Sequence, residues 1–393
     1  MTPKAFRIDI PDADIADLKE RLARVRWPHE PSRNEDWEYG TPRAYLERLI
    51  PFWRDQFDWR AAEARLNRFP QYTADLEMDG ETHRIHFIWK KGSGPRPRPL
   101  ILTHGWPSSF VEFMDVVEPL AHPERFGGRA EDAFDVIVPS LIGFGFSSQP
   151  QHPLGPAKIA DLWHRLMTEV LGFKRYFAQA CDWGSYVTSR LALQYPDDLW
   201  GIHLTMLPLR PYLKHPSQPP LSEAEKIWIA KMKDWWARED GYRAIQSTRP
   251  MALAYGVTDS PVGLAGWLAD KINRLADTQK GHPYAGIEAR FPHETMCTML
   301  SVYWFSGSIN SANTIYKAAP AEGSALLKPG ERVEVPTSYT DYPIDSLPPT
   351  PEEWGRRGYN IVRWRQMDRG GHFAAQEEPE LFVRDVRESF AGR

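Results

Sequence analysis

The sequence predicts an α/β fold in which helices cover both faces of a mostly parallel sheet. Short apolar runs, each ended by a turn rich in Gly or Pro, recur as LILTHGWP, FDVIVPSLIGFG, YFAQACDWG and IHLTMLPLRP. Helical patterns lie between them, including residues 157–171 and 185–195. Uninterrupted apolar strands that alternate with helices are typical of a parallel sheet buried on both sides.

Composition limits the classes of function. With 393 residues and 42% apolar content, the chain can form one large domain with an elaboration, or two domains. A formal net charge of −4 offers no basic surface for nucleic acid. Cys181 and Cys297 are the only cysteines, which excludes a multi-bridge disulfide framework, disfavours a zinc cluster and favours the cytoplasm. The N-terminus lacks an apolar run of signal or anchor length, so we expect no membrane anchor.

Residues 1–95 are predicted to form an N-terminal region of helices followed by a strand. Apolar residues at helical spacing predict an amphipathic helix over 12–27. A second helix is divided or kinked at Pro51, and Asp58 caps a third. In HRIHFIWKK the apolar and polar residues alternate, which predicts a half-buried strand.

The alternation of strands and helices divides the remaining chain into a core and an insertion. Residues 96–209 and 326–393 follow the alternation and form the core, which ends in a helix from about Glu378. Residues 210–325 are mostly helical and rich in Trp and Tyr, so we expect a helical lid inserted into the core.

An acidic residue follows the third apolar strand, in the turn Ala180-Cys181-Asp182-Trp183-Gly184. Small residues on both sides of Asp182 permit the tight bend that raises a nucleophile above the sheet. The alternative is that Asp182 caps the helix that follows, since Asp is a favoured N-cap. In an open α/β sheet, ligands gather beyond the carboxyl ends of the strands, so this turn is a candidate site.

Two further turns contain groups that could act together with a nucleophile at Asp182, and the first of them follows the first apolar strand. His104-Gly105-Trp106-Pro107 bends sharply and can direct the backbone N–H of Trp106 into the cleft, beside that of Trp183, as an oxyanion hole. Alone, this turn is equally explained as a rigid Gly/Pro turn with a packed Trp.

A late histidine, His372, lies in DRGGHFAAQEEPE and can act as a general base near neutral pH. A lone histidine is more often structural. The chain order of nucleophile, acid and histidine is nevertheless that of the α/β-hydrolase triad, and both Asp341 and Asp345 can supply the acid.

These motifs together resemble those of epoxide hydrolases with the α/β-hydrolase fold, in the branch of microsomal and juvenile-hormone epoxide hydrolases. The resemblance spans nearly the whole chain and includes HGWPSSFVEF, PSLIGFGFSSQP, QACDWGS, YWFSGSINSANTIYK and RGGHFAAQEEPELF. It implies an α/β-hydrolase core, a helical lid and an N-terminal meander. Without the apolar anchor of membrane-bound relatives, the chain is most similar to soluble bacterial members.

The resemblance assigns roles residue by residue. Asp182 matches the nucleophile and His372 the water-activating base. Asp345, within YPIDSL, matches the acid, where relatives often carry Glu, and Asp341 stays the second candidate.

Four aromatic residues complete this implied site. Tyr242 and Tyr316 match the lid tyrosines that donate protons to the epoxide oxygen, although no spacing rule selects them among the tyrosines of the chain. The backbone N–H groups of Trp106 and Trp183 match the oxyanion hole. The implied partners are a small apolar epoxide and water, with no metal or organic cofactor and no nucleic acid, and a homo-oligomer is left open.

Three alternatives remain at this point. A haloalkane dehalogenase also uses an Asp nucleophile and a His base, but often has Asn where this chain has Trp106. A serine esterase is disfavoured because no G-x-S-x-G motif occurs. A non-catalytic protein that binds an apolar ligand has no need of acid, base and nucleophile in this order.

Overall fold

The computed structural model describes residues 2–31, 34, 37–211, 213, 218–278, 286–345 and 347–392. Its strands are β1 Lys4–Phe6, β2 Gln71–Met78, β3 Glu81–Lys90, β4 Arg98–Thr103, β5 Phe134–Pro139, β6 Tyr176–Ala180, β7 Leu199–Leu204, β8 Val333–Asp341 and β9 Tyr359–Gln366.

Helices make up most of the remaining described structure. They are α1 Asp12–Ala23, α2 Arg43–Asp55, α3 Trp59–Leu66, α4 Met114–Ala121, α5 Pro156–Arg165, α6 Asp182–Gln194, α7 Glu223–Glu239, α8 Gly241–Thr248, α9 Pro250–Asp259, α10 Pro261–Leu275, α11 Ile287–Arg290, α12 His293–Ser306, α13 Ile309–Asn313, α14 Ile315–Glu322, α15 Glu352–Gly358, α16 Ala374–Glu377 and α17 Pro379–Phe390. No helix in these ranges has the length and apolar character needed to cross a bilayer.

The described strands form one sheet in the order β1-β2-β3-β5-β4-β6-β7-β8-β9. The pairs from β5 through β4 to β9 are parallel, and β1, β2 and β3 join the edge beside β5 as antiparallel strands. The predicted mostly parallel α/β sheet is therefore confirmed. Because β4, β6, β7 and β8 run in one direction, the turns after them meet at one edge of the sheet.

The two faces of the central strands carry different helices. Phe177 on β6 packs against Phe390 of α17, with ring centroids 4.3 Å apart. On the other face, the indole of Trp163 in α5 donates a hydrogen bond to Thr103 Oγ1 on β4, at 3.1 Å. Both faces are thus buried, which explains why the strands are apolar without alternation.

Eight described helices between β7 and β8, α7 to α14, form what we call the lid. An isolated parallel bridge between Arg210 and Leu326 joins the chain entering the lid to the chain leaving it. Two hydrogen bonds connect the N-terminal region to the lid. Trp53 Nε1 donates to Ser301 Oγ at 2.9 Å, and Thr41 Oγ1 donates to Gly266 O at 2.6 Å.

Three local predictions were wrong. The first helix ends at Ala23 instead of continuing to residue 27, and Pro51 does not divide α2, which is continuous from Arg43 to Asp55. The strand β3 is not half-buried at His86, which is fully buried between β2 and β5. Its ring nitrogens lie 2.8 Å from Gln71 Oε1 and 2.9 Å from Ser140 Oγ, and burial lowers its pKa to about 3. These bonds let an uncharged imidazole occupy a position that its polarity would place in solvent.

Candidate active site

The turn after β6 raises Asp182 above the end of the sheet. Asp182 has φ +48, a left-handed conformation that non-glycine residues rarely adopt, and it is the first residue of α6. Small neighbours make the close packing of this turn feasible. A Cβ at Gly184 would lie 2.1 Å from Thr103 O, and a Cβ at Gly105 would lie 2.2 Å from Asp182 Oδ1.

The Asp182 carboxylate faces a cavity and contacts residues of two other turns. Trp106 N donates a hydrogen bond to Asp182 Oδ1 at 2.8 Å, across the gap between the turns after β4 and β6. Asp182 Oδ2 lies 3.5 Å from His372 Nε2, and the Asp182 side chain is 18% exposed. The alternative of a simple helix cap does not account for these contacts, because both partners lie outside α6.

Geometry distinguishes the two candidate acids, Asp345 and Asp341. His372 Nδ1 lies 2.8 Å from Asp345 Oδ2, and Leu347 N donates to Asp345 Oδ1 at 3.1 Å. Asp341 instead accepts a hydrogen bond from the hydroxyl of Tyr339 at 3.3 Å, and burial raises its pKa to about 6. The structure therefore brings Asp345, and not Asp341, into contact with the imidazole.

Opposing effects act on the imidazole of His372. Burial lowers its pKa, whereas Cys181, Asp345 and Asp182 raise it, and the net pKa lies well above the ordinary value. Burial also raises the pKa of the Cys181 thiol, so this thiol is uncharged at neutral pH. The two carboxylates therefore account for the raised pKa of His372, and each is within reach of one ring nitrogen.

Tyr242 of α8 and Tyr316 of α14 lie on lid helices and line the same cavity as Asp182, and we call this lid side of the cavity its roof. The ring of Tyr242 stacks on Trp106 at 5.2 Å and 8°, and the ring of Tyr316 meets Trp183 edge to face at 4.7 Å and 81°. The two tyrosine rings are 5.8 Å apart. Burial raises the pKa of both hydroxyls above the ordinary value, so both are neutral donors at physiological pH.

These groups line one cavity of about 470 Å³. Asp182, His372, Asp345, Tyr242 and Tyr316 all contribute to its wall. Its remaining wall is rich in large apolar side chains, including Trp183, Trp228, Trp235, Trp236, Leu275, Leu347 and Trp354. A polar cluster in a cavity with many large apolar side chains is suited to a small apolar substrate that carries one reactive polar group.

Comparisons with known proteins identify the family. Residues 3–113 match the family model "Epoxide hydrolase N terminus", and residues 98–250 match the model of the alpha/beta hydrolase fold. The chain is 39% identical to a Stigmatella aurantiaca protein assigned to the epoxide hydrolases, over 98% of this chain and 84% of that protein. It is 32% identical to epoxide hydrolase 1 of Oryctolagus cuniculus, over 98% of this chain and 87% of that protein.

The chain belongs to the epoxide hydrolase family. A solved structure of Aspergillus niger epoxide hydrolase agrees with this assignment, with a TM-score of 0.82 and 30% identity over 99% of this chain and 96% of that chain. The resemblance seen in the motifs and the expected α/β-hydrolase fold are thereby confirmed.

Sequence reasoning missed a buried network that connects the lid of this epoxide hydrolase to the loop of residues 370–373. Arg290 of the lid donates from Nη2 to Asp277 Oδ2 at 2.7 Å, and Gly370 N donates to the same oxygen at 3.3 Å. Asp277 N in turn donates to Glu377 Oε2 at 2.7 Å. Arg290 and Asp277 side chains are 4% and 0% exposed, so these charges are paired away from solvent.

The same network reaches the backbone on both sides of the imidazole. His372 N donates to Leu275 O at 3.1 Å, and Phe373 N donates to Glu377 Oε1 at 2.9 Å. The paired acids in AAQEEPE are the sequence signal that could have indicated this network. Glu377 ends α16 and Glu378 precedes α17, both are 6% exposed, and a buried carboxylate requires partners.

A second missed residue is Glu112, which follows the HGWPSS turn and is 4% exposed. Burial raises its pKa to about 7, and the nearby charge of His372 acts in the opposite direction. An acid between apolar residues in SFVEF was the available signal.

Proposed function

We propose that this epoxide hydrolase converts apolar epoxides into vicinal diols through a covalent ester on Asp182. Asp182 Oδ2 attacks a carbon of the epoxide ring, and the bond from that carbon to the ring oxygen breaks. A hydroxyl of Tyr242 or Tyr316 donates its proton to the departing oxygen, which becomes the first hydroxyl of the diol. The products of this half-reaction are an alkyl ester of Asp182 and a tyrosinate.

Water then hydrolyses the ester from its carbonyl carbon. His372, oriented by Asp345, takes a proton from the water as its oxygen attacks Asp182 Cγ, and the N–H groups of Trp106 and Trp183 hold the oxyanion. Collapse of this intermediate expels the second diol oxygen, which takes the proton from His372. The acid proton left on Asp182 returns to the tyrosinate, so the resting enzyme is restored.

The observation that carries this proposal is the placing of one carboxylate between an amide donor and an imidazole. Asp182 Oδ1 accepts from Trp106 N at 2.8 Å, while Oδ2, 3.5 Å from His372 Nε2, is left for attack on substrate. The neutral hydroxyls of Tyr242 and Tyr316 line the same cavity and suit an epoxide, whose alkoxide leaving group needs a proton. The cytoplasmic location and the homo-oligomer considered from sequence stay predictions.

Trapping the ester tests the proposal. His372→Gln should form the ester but fail to hydrolyse it, so intact-mass spectrometry after exposure to styrene oxide should show an increase equal to the epoxide. The matched control, Asp182→Ala/His372→Gln, should gain no mass. Diol formation that survives in Asp182→Ala would refute the nucleophile.

Isotope labelling gives an independent measurement. In a single turnover of the unaltered enzyme in ¹⁸O-water, the label should enter the peptide containing Asp182, since water attacks Cγ and not the substrate carbon. Direct labelling of the diol in the first turnover would contradict the covalent route.

A further inference from the structure

Ring opening moves one negative charge from Asp182 to the roof of the catalytic cavity. As Asp182 Oδ2 bonds to the epoxide carbon, the carboxylate becomes a neutral ester. The tyrosine that protonates the departing ring oxygen keeps the electron pair of its O–H bond and becomes a tyrosinate. Because a charge with little access to water is costly, the roof requires a positive charge close to the tyrosines.

Several groups already act on the hydroxyl of Tyr242. Burial raises its pKa, and the carboxylates of Asp182 and Asp240 raise it further. A hydrogen bond with Tyr316 and the charge of His372 act in the opposite direction, and the net pKa is raised. Formation of a tyrosinate at this position is therefore unfavourable unless a further cation offsets the cost.

A lysine of the lid helix α10 lies over the ring of Tyr242. Lys271 Nζ is 5.1 Å from the centroid of that ring, a distance at which an ammonium group and an aromatic ring attract each other. The Lys271 side chain is 11% exposed. Its ammonium lies 2.9 Å from Asp270 Oδ2 and 3.7 Å from Glu239 Oε2, so two carboxylates hold it in place.

Helix α10 also contacts the loop that carries the base. Leu275, one turn after Lys271, accepts a hydrogen bond from His372 N at 3.1 Å and lines the cavity. Residues four apart lie on the same face of a helix. The helix face that is fixed to the loop of His372 therefore also carries Lys271.

The two roof tyrosines differ in their access to a cation. The ring of Tyr316 meets the rings of Trp106 and Trp183 edge to face, with centroids 5.8 and 4.7 Å apart. Within the ranges that the structure describes, no lysine or arginine lies over the ring of Tyr316. The ammonium of Lys271 thus distinguishes Tyr242 from Tyr316.

A second cation near Tyr242 already has a strong partner. Arg243 follows Tyr242 in α8, and its guanidinium donates to both carboxylate oxygens of Asp240. The same guanidinium lies over the ring of Trp236, 4.7 Å from its centroid. These contacts direct Arg243 to Asp240 and Trp236, whereas Lys271 lies over the phenol ring itself.

We propose that Lys271 is a positioning residue for ring opening, which acts through Tyr242 by stabilising the negative charge that this tyrosine acquires. Tyr242 gives up the proton, and Tyr316 remains a neutral donor to the ring oxygen. The charge leaves Tyr242 when the ester has been hydrolysed, so Lys271 takes no part in the attack of water. This inference rests on the proposed function and divides the roles of its two tyrosines.

The rate of ester formation tests this role. It can be measured with styrene oxide by rapid quench and intact-mass spectrometry, in enzymes that carry His372→Gln. Lys271→Met should slow ester formation by about tenfold, the size expected for an ammonium over a shielded aromatic ring. Lys271→Arg keeps the charge and should stay within about threefold of the enzyme with lysine.

Two controls accompany these variants. Lys317→Met alters an exposed lysine that follows Tyr316 in α14 and donates to Thr248 O, and it should leave ester formation unchanged. In enzymes that retain His372, Lys271→Met should leave the rate of ester hydrolysis unchanged. Slowing of both half-reactions to the same extent would show a general loss of structure and would overturn the inference.

Paired substitutions separate charge from packing. Tyr242→Phe keeps the ring beneath Lys271 but removes the hydroxyl, so adding Lys271→Met should cost less than about twofold more. In a Tyr316→Phe enzyme, Lys271→Met should still cost about tenfold. Equal losses in both backgrounds, or a loss that disappears only in Tyr316→Phe, would contradict action through Tyr242.

Two results distinguish this inference from the proposed function. Absence of the ester in His372→Gln with an intact Lys271 would contradict the covalent mechanism. Ester that forms at the same rate with Lys271 and with Met at this position would contradict the role of Lys271 alone.

Discussion

The floor and the roof of the catalytic cavity are positioned by different means. In the floor, Asp182 and Trp106 lie on turns that directly follow strands, and a Cβ at Gly105 or Gly184 would collide with neighbouring atoms. In the roof, Tyr242 and Tyr316 lie on lid helices and are located by ring contacts with Trp106 and Trp183. The backbone thus fixes the floor, whereas side-chain packing on the floor fixes the roof.

This difference separates the two half-reactions. In the proposed mechanism, the floor holds the nucleophile, the base and the amide donors, which act on the ester, and the roof holds the proton donors, which act only while the epoxide ring opens. Substitutions in the two regions should therefore slow different steps.

The largest effect is expected for the nucleophile in the floor. Asp182→Ala removes the atom that forms the ester, so diol formation should fall by about 10⁴-fold or more. Single-turnover assays by chromatography would measure it. An unchanged thermal unfolding midpoint would exclude loss of folding as the cause, and activity within about tenfold of the unaltered enzyme would contradict the role of Asp182.

Replacing the acid behind the base should slow ester hydrolysis alone. Asp345→Asn removes the charge that lies 2.8 Å from His372 Nδ1, and we expect hydrolysis to slow by about 10³-fold with ester formation little changed. Rapid-quench mass spectrometry should show the ester accumulating. Asp341→Asn is the control, and a larger effect of Asp341→Asn would reverse the assignment of the acid.

Removing the roof hydroxyls should give the opposite pattern. Tyr242→Phe/Tyr316→Phe retains the rings that pack on Trp106 and Trp183 but removes both proton donors, so ring opening should slow by about 10²–10³-fold. Stopped-flow tryptophan fluorescence can follow this step. Hydrolysis of an ester already formed should be unaffected, and equal slowing of both steps would mean that the roof also positions the floor.

The pH dependence should reveal that the pKa of His372 changes during turnover. His372 must be uncharged to accept a proton from water, so hydrolysis should lose about tenfold per pH unit below its pKa. In the free enzyme, the carboxylates of Asp345 and Asp182 raise that pKa. Esterification removes the charge on Asp182, which lowers the pKa and makes the base competent once the ester exists.

Two measurements compare these states. The midpoint for ester hydrolysis in single turnovers should lie at lower pH than the imidazole titration observed by NMR in the free enzyme. Asp182→Asn should lower the titration midpoint of the free enzyme as well. Identical midpoints in all three cases would show that Asp182 does not contribute to the pKa.

The smallest effect is expected where the lid contacts the floor. Arg290→Met breaks the ion pair with Asp277, whose carboxylate also accepts a hydrogen bond from Gly370 N in the loop that carries His372. Displacement of His372 should slow ester hydrolysis by about three- to tenfold. Ester formation should change less, which a loss of folded enzyme would not produce. Partial recovery in Arg290→Lys would support an electrostatic contact.

The floor was accessible from sequence because strand ends and their turns have local signatures. Apolar runs ended by Gly located the turns, and the turn around Asp182 could be identified from its small neighbours. The residue pattern alone left Asp341 and Asp345 open, and the family resemblance favoured Asp345. The structure separates the two, since Asp341 ends β8 beside Tyr339 whereas Asp345 lies in the turn that reaches His372.

The roof could be assigned only through family resemblance. Tyr242 and Tyr316 belong to separate helices, and no periodicity relates residues that meet through tertiary packing. The buried position of His86 was missed for a similar reason: alternation along β3 does not reveal that strands on both sides and hydrogen bonds to Gln71 and Ser140 enclose it.

The bridge between Arg210 and Leu326 has an evolutionary consequence. Because the two ends of the lid lie side by side, a lid of different length can replace it without any change in the order or connections of the strands. Insertions whose ends are adjacent generally permit such replacement. Such an exchange must preserve one junction, since Leu275 and Asp277 bind the loop that carries His372. Chimeric enzymes that transplant the lid together with residues 370–373 should therefore diversify substrate range while conserving the chemistry.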